Sequence, residues 1–328
     1  MQTTIKIFTD LVARSKINSL PESSKKRIIN CLNSSFEIEI IDAFERIKEC
    51  EVYFGDLIEA NYVRKMNNLK WIHFSSTGVD RALIPEIINS DIKVSYSPDA
   101  FTNSVLVLTL GYICNFARGL NTIFKLRANN QLSRREFDYY SSNISDLIGE
   151  KILIVGYGRI GRKLGSVLSL LGMKVYVIKT TNKINDSFIE DVFLLDQLED
   201  AVKNKLFIVN LLPFTQETFE VFNKSIFKAM NNKSYFINVG RGKTVDENSL
   251  IEALHNKEIA GAALDVFYNE PLSLKSELLS FENVLITPHV GNINKNYWEY
   301  ETNLFIKNLK HYVKGENLHS TLDIIKGY

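Results

Sequence analysis

KILIVGYGRIGRKLG, residues 151–165, decides the fold. Lys151 to Val155 is a short apolar run that reads as a buried strand, and RIGRKLGSVLSLLG from Arg159 reads as a helix. Between them Gly156, Gly158 and Gly161 match the pattern GxGxxG. With 16 glycines in the chain the pattern alone carries little, but a strand before it and a helix after it are the context that the dinucleotide fingerprint requires. In that fingerprint the first glycine permits the tight turn, the second lets the backbone approach a pyrophosphate, and the third lets helix and strand pack closely. Free N–H groups around Arg159 and Ile160 at the helix start, with the positive end of its dipole, suit the phosphates. Gly156, Gly158, Arg159, Ile160 and Gly161 are therefore candidate cofactor contacts.

Outward from this segment the chain keeps alternating. KVYVIK, LFIVNLL, SYFINVG, AGAALDVF and NVLITP follow as strand-like runs toward the carboxyl end. Upstream, IKIF, FEIEII, EVYF, WIHFSS and KVSYS alternate with polar stretches of helical spacing, such as 23–32 and 57–66. Alternation of this kind predicts parallel sheets flanked by helices. The expected fold is α/β with two doubly wound parallel-sheet domains. A Rossmann dinucleotide-binding domain over 102–291, with an apolar helix over 104–125 and a polar, turn-rich arm over 126–146, is inserted into a flavodoxin-like substrate-binding domain. That domain takes residues 1–101 and is completed by a helical segment within 292–328.

The 328 residues match two domains of ordinary size. A formal net charge of +1, without blocks of like charge, implies no broad attraction to nucleic acid or to a membrane surface. The longest apolar stretch, 105–116, is too short to span a bilayer. Cys31, Cys50 and Cys114 are odd in number and far apart, and MQTTIKIFTD reads as a strand and not as a secretory leader, so the expected location is the cytoplasm. No histidine or cysteine spacing suggests a metal site.

Three runs in the second half each end on a polar residue: YFINVGR on Arg241, AGAALDVFYNE on Glu270 and NVLITPH on His289. Singly, each has an ordinary reading as a turn arginine, a surface glutamate or a structural histidine. In an open parallel sheet, however, residues beyond the carboxyl ends of strands line one crevice, the edge that the nucleotide loop also occupies. Together the three supply what hydride transfer to a 2-oxo acid needs from a protein. A guanidinium holds the carboxylate and polarises the carbonyl. An imidazole donates a proton to the developing alkoxide near neutral pH. A carboxylate orients that imidazole and stabilises its charged form. A hydrolase constellation would need a Ser or Cys nucleophile on a strand–turn–helix elbow, and none accompanies them.

The adenosine ribose contact lies at the end of the strand after the glycine loop, where an NAD site places Asp or Glu. Here Lys179, Thr180 and Thr181 occupy the position, and no acid stands between Met173 and Asn185. A cation with two hydroxyls suits a 2′-phosphate, so NADP(H) is the favoured cofactor, with NAD(H) still possible.

At this point the chain resembles the D-isomer-specific 2-hydroxyacid dehydrogenase family. GYGRIGRKLG, NLLPFTQETF, FINVGRGKTVDENSLIEAL, AGAALDVFYNEP and NVLITPHVG are similar to its signature segments in order and spacing; WIHFSSTGVD matches more loosely. The terminal KGY resembles members close to glyoxylate/hydroxypyruvate reductases. The resemblance implies that Arg241 binds substrate, that His289 is the acid/base and that Glu270 is its partner. It also implies that the amides of Thr77 and Gly78 hold the substrate carboxylate, and that Asp265, Leu212 and Pro213 lie near the nicotinamide. Two departures stand out: Lys179 in place of the acid, and Val107 where many relatives have glutamate. The expected activity is reduction of a small 2-oxo acid to a D-2-hydroxy acid. A phosphoglycerate-type dehydrogenase and a dinucleotide-sensing protein scaffold remain alternatives. Ile113, Phe116, Ile123 and Phe124, on the apolar helix and arm, predict a homodimer.

Overall fold

The computed structural model describes residues 3–11, 19–79, 82–139, 144–180 and 185–323. They divide into two compact units, 1–101 with 292–328, and 102–291. In the first unit β1 (Thr3–Thr9), α1 (Glu22–Ile29), β2 (Phe36–Ile41), β3 (Val52–Gly55), α2 (Ala60–Lys65), β4 (Trp71–Phe74), α3 (Pro85–Ile88) and β5 (Lys93–Tyr96) alternate as the apolar runs dictate. All strand pairs are parallel and the order is β2-β1-β3-β4-β5, the flavodoxin-like winding.

The second unit holds α4 (Thr102–Arg118), α5 (Leu120–Ala128), α6 (Arg134–Asp138), β6 (Lys151–Val155), α7 (Arg159–Leu170), β7 (Lys174–Ile178), β8 (Ile189–Phe193), α8 (Leu198–Ala201), β9 (Phe207–Asn210), α9 (Lys224–Ala229), β10 (Tyr235–Asn238), α10 (Glu247–His255), β11 (Gly261–Leu264) and β12 (Val284–Ile286). The chain then closes with α11 (Tyr297–Val313), in the first unit. The second sheet is wholly parallel, in the order β12-β11-β10-β9-β6-β7-β8. Counted from β6 this is the Rossmann winding with one more strand, and direction reverses between β6 and β9.

Burial explains which runs were legible. Central strands are covered on both faces and read as continuous apolar runs: β4 and β9 are buried at every position. Successive side chains feed opposite layers. In the first unit Ile7, Phe54 and Trp71 pack with Phe305 and Leu309 of α11, while Phe8, Tyr53 and Ile72 face α2 and α3. In the second unit Ile154, Val177 and Val209 face α4 and α7, while Leu153, Val155 and Ile208 face α8, α9 and α10.

One strand was not foreseen, and three expectations need correction. Strand β8, with the sequence IEDVF, has no fully buried residue; an edge strand lacks the apolar signal that the central ones carry. The helix expected over 104–125 is two helices, because Gly119 takes φ +60° and a Cβ there would meet Ile144 and Phe137. The arm over 126–146 contains α6, capped by the Ser133 hydroxyl, which accepts from the Glu136 N–H at 3.1 Å. Ile113 and Phe116 need no partner chain: both lie on the buried face of α4, packed against the sheet, and Phe116 stacks on Tyr235 at 4.3 Å between ring centres. Phe124 remains 63% exposed.

Among the described residues no helix is long and apolar enough to cross a membrane. Among them, too, no group of three or more His, Cys, Asp or Glu could hold a metal ion.

Candidate active site

Register brings the predicted trio to one edge. Asn238 at the end of β10 pairs with Leu264 at the end of β11, and Leu264 pairs with Ile286 at the end of β12. The three strands therefore stop level, and Arg241, Glu270 and His289 lie in the segments that follow them.

Arg241 is held from its backbone. The Asn238 side-chain amide and the Thr244 hydroxyl (2.7 Å) both donate to its carbonyl oxygen. Asn210, at the end of β9, donates to Asn238 Oδ1 at 3.0 Å and to Thr244 Oγ1 at 2.7 Å. This buried amide network ties β9, β10 and the arginine turn into one rigid piece. Gly240 has a steric reason: a Cβ there would lie 2.8 Å from the Leu212 carbonyl oxygen.

The turn carrying His289 is built around Asp265, a buried carboxylate just past β11. Its oxygens accept from the Thr287 hydroxyl, from the Val290 N–H at 2.8 Å and from the Gly291 N–H at 2.9 Å. Its carbonyl accepts from the His289 N–H at 2.8 Å. These bonds hold His289 at φ +52°, a left-handed conformation uncommon for a side-chain-bearing residue and one that gathers at functional sites.

Glu270 meets His289 directly. Its Oε2 lies 2.7 Å from His289 Nδ1, and its Oε1 accepts from the Phe267 N–H at 3.1 Å. The strand-like reading of AGAALDVFYNE is corrected here: β11 stops at Leu264, and the rest is a loop folded back onto the Phe267 amide. Burial pushes the Glu270 carboxyl up, but the His289 hydrogen bond, the Phe267 N–H and the charges of His289 and Arg241 outweigh it and hold it below the usual range. The influence of Arg241 on Glu270 places all three groups in one electrostatic neighbourhood. Among the described residues His289 Nε2 makes no hydrogen bond.

The glycine loop behaves as its fingerprint requires. Gly156 has φ +103°, and a Cβ there would press on the backbone of Leu211 at 2.9 Å. A Cβ at Gly161 would lie 2.5 Å from the Gly156 carbonyl oxygen. A Cβ at Gly158 would meet nothing within 4 Å, which leaves open room beside backbone N–H groups at the start of α7. Two positions pressed against backbone and one facing open space are what a bound pyrophosphate needs. Arg159 and Ile160 open α7.

The remaining candidates are scattered along the sheet edges. Leu212 follows β9, its N–H donating to Asn210 Oδ1 at 3.1 Å, and the carbonyl of Pro213 accepts from Thr218 Oγ1 at 2.7 Å. Lys179 is half-buried just past β7, its N–H donating to the Phe193 carbonyl at 3.1 Å, and Thr180 is exposed. Thr181 lies outside the described residues. Thr77 and Gly78 follow β4 in the first unit; the Thr77 hydroxyl donates to the Ser97 carbonyl at 3.2 Å, and the Gly78 carbonyl accepts from Ser76 at 2.9 Å. Sequence reading missed the Asn210–Asn238–Thr244 network and the carboxylate scaffold of Asp265. Asparagines closing two apolar strands were the available signal.

Comparison with known proteins shows the family to which the chain belongs. Residues 110–291 match the family model described as D-isomer specific 2-hydroxyacid dehydrogenase, NAD binding domain. A glyoxylate reductase of Thermofilum pendens is 32% identical over 263 residues, covering 80% of this chain and 77% of that protein. A glyoxylate reductase of Pyrococcus horikoshii is 27% identical, covering 88% and 90%. Among solved structures, a D-isomer specific 2-hydroxyacid dehydrogenase from Xanthobacter autotrophicus in complex with NADPH and MES aligns with a TM-score of 0.83 at 22% identity, over 99% of this chain and 100% of that one. An NADPH-dependent glyoxylate/hydroxypyruvate reductase from Sinorhizobium meliloti, in complex with NADP and sulfate, gives 0.81 at 19% identity, over the whole of both chains. At such identities the solved structures establish the fold alone. With the family model covering more than half the chain, and a glycine loop and strand-end edge built as described, this protein is an oxidoreductase of the D-isomer specific 2-hydroxyacid dehydrogenase family.

Proposed function

We propose that the protein reduces a small 2-oxo acid of the glyoxylate or hydroxypyruvate type to the D-2-hydroxy acid. The observation that carries this is the 2.7 Å bond between Glu270 and His289 Nδ1, which leaves Nε2 as the proton-transferring atom. Arg241 pairs with the substrate carboxylate and polarises the 2-oxo group. His289, doubly protonated, gives its Nε2 proton to the carbonyl oxygen as that oxygen gains negative charge. Glu270 stays ionised, fixes the ring orientation and stabilises the imidazolium before transfer. A dihydronicotinamide held at the glycine loop would supply the hydride. Asp265, Leu212 and Pro213 shape the nicotinamide end of the site.

The favoured cofactor is NADPH, because Lys179 stands where an acid would repel a 2′-phosphate. Relatives in solved structures were captured with NADPH or NADP, which agrees with that preference. We further infer a cytoplasmic homodimer joined through the exposed face of Val107, Leu120, Phe124 and Leu132, which light scattering checks as a mass of twice 37.5 kDa. The deciding experiment is a panel of 2-oxo acids assayed with NADPH and NADH, on wild type and on Lys179→Asp. Turnover of glyoxylate or hydroxypyruvate with a preference for NADPH of roughly tenfold to a hundredfold, reversed in the variant, is expected. Absence of turnover on every 2-oxo acid would favour a dinucleotide-sensing scaffold instead.

A further inference from the structure

The acid missing from the end of β7 is restored from farther along the chain. Asp186 lies seven residues beyond Lys179, just ahead of β8. Its Oδ1 accepts from Arg162 Nε at 3.1 Å and from Arg162 Nη2 at 2.7 Å. Its Oδ2 accepts from the Tyr157 hydroxyl at 2.8 Å. Tyr157 is the second residue of the glycine loop, and Arg162 directly follows its third glycine. The charge of Lys179 also acts on this carboxylate. One carboxylate, one guanidinium and a phenol therefore meet beyond the carboxyl end of β6, with the charge of Lys179, just past β7, acting on the carboxylate from farther off, in the region where a dinucleotide fold holds the adenosine ribose.

We propose that Asp186 sets the strength of this chain's NADPH preference, by neutralising Arg162 beside the position that a 2′-phosphate would take. The proposal rests on residues 156–161 being the dinucleotide loop. With Asp186 in place, the cluster offers a 2′-phosphate one net positive charge; without it, two. Asp186 meets its partners while only 13% of its side chain is exposed, so solvent weakens its effect less than it would an open surface pair. The Arg162 hydrogen bonds hold the carboxyl below the usual range, with the Tyr157 bond and the Arg162 and Lys179 charges adding to them, so it is ionised at neutral pH. Loop anchorage alone would not require a carboxylate on Arg162 within the field of a second cation at this edge. The result is a preference for the 2′-phosphate that is moderate and adjustable, with NADH still accepted.

The test is calorimetric titration of the apo protein with adenosine 2′,5′-bisphosphate and with adenosine 5′-monophosphate, which differ only in the 2′-phosphate. Asp186→Asn keeps the shape and removes the charge; it should tighten the bisphosphate about tenfold and leave the monophosphate within about twofold. Arg162→Gln leaves the carboxylate uncompensated and should weaken the bisphosphate about tenfold, again with little effect on the monophosphate. Arg162 is 68% exposed at its side chain, so this variant carries the test should Asp186→Asn fold poorly. A bisphosphate affinity that is unchanged or weaker in Asp186→Asn overturns the proposal, as does one that is unchanged in Arg162→Gln. Failure of both ligands to bind wild type would instead overturn the dinucleotide-loop reading, and the proposal with it.

Discussion

Four of the five histidines lie within ion-pair distance of a glutamate, and two of these pairs, His73–Glu301 and His289–Glu270, are built in opposite ways. In the first unit His73 and Glu301 meet at 3.0 Å with both side chains fully buried, joining β4 to α11. The other ring nitrogen of His73 is taken by Ser95 at 2.7 Å, and Ser95 also accepts from Trp71 Nε1 at 2.9 Å. Every polar atom of that imidazole is committed, and aromatic rings of Phe54, Trp71 and Phe305 surround it. In the second unit the His289 and Glu270 side chains are 44% and 35% exposed, and the carboxylate uses only Nδ1. The same two residue types thus make a fastener where both nitrogens are occupied and, where one is left available, the pair we propose as proton donor and its partner. Partner type does not distinguish them; the occupancy of the second nitrogen does.

The largest effect expected from this contrast is on turnover. His289→Ala should lower kcat by about 10²–10⁴, the range for loss of a general acid, with the unfolding midpoint in urea nearly unchanged. Near-full activity in that variant would remove the mechanism. The mirror experiment is His73→Ala, which leaves Glu301 buried without its partner. Breaking a buried pair in this way costs about 3–5 kcal/mol. Urea unfolding should show that loss, while the folded fraction keeps the pH–rate profile of wild type. A kcat loss in His73→Ala matching that of His289→Ala, without destabilisation, would break the comparison.

Arg241→Ala should reduce kcat/KM by about 10² and damage both constants, because in the proposed mechanism the guanidinium serves binding and polarisation together. A rise in KM alone would assign it to substrate binding only. The smallest effect sharpens the role of Glu270. Its carboxyl is held low, so it is charged throughout the working range and favours the protonated ring. In the proposed mechanism reduction needs that proton, so the rate is expected to fall as pH rises. Glu270→Gln removes the stabilising charge and should move the falling limb to lower pH, by about one pH unit for about 1.4 kcal/mol of lost interaction. An unmoved limb would leave Glu270 an orienting role alone.

Much of this was legible along the chain. The glycine loop announces itself because its requirements are local: a tight turn, a close backbone approach and a helix start fall within six residues. Arg241, Glu270 and His289 could be nominated together because parallel strands bring their ends to one edge, whatever their separation in sequence. Central strands were readable since burial on both faces leaves a continuous apolar run. Strand β8 was not, because an edge strand carries no such run.

What the sequence determined by itself was therefore the α/β class, the glycine loop between β6 and α7, and the placing of Arg241, Glu270 and His289 beyond strands that end at one edge, all set by short-range pattern and by the geometry common to parallel sheets. Tertiary structure alone decided the rest. It turned Ile113 and Phe116 inward, fixed His289 in a left-handed conformation around Asp265, and buried His73 against Glu301 across 228 positions of chain. It also carried Asp186 back to a strand end that the sequence had left without an acid. Each of these depends on side chains distant in sequence meeting at hydrogen-bonding range, and local pattern holds no record of such meetings.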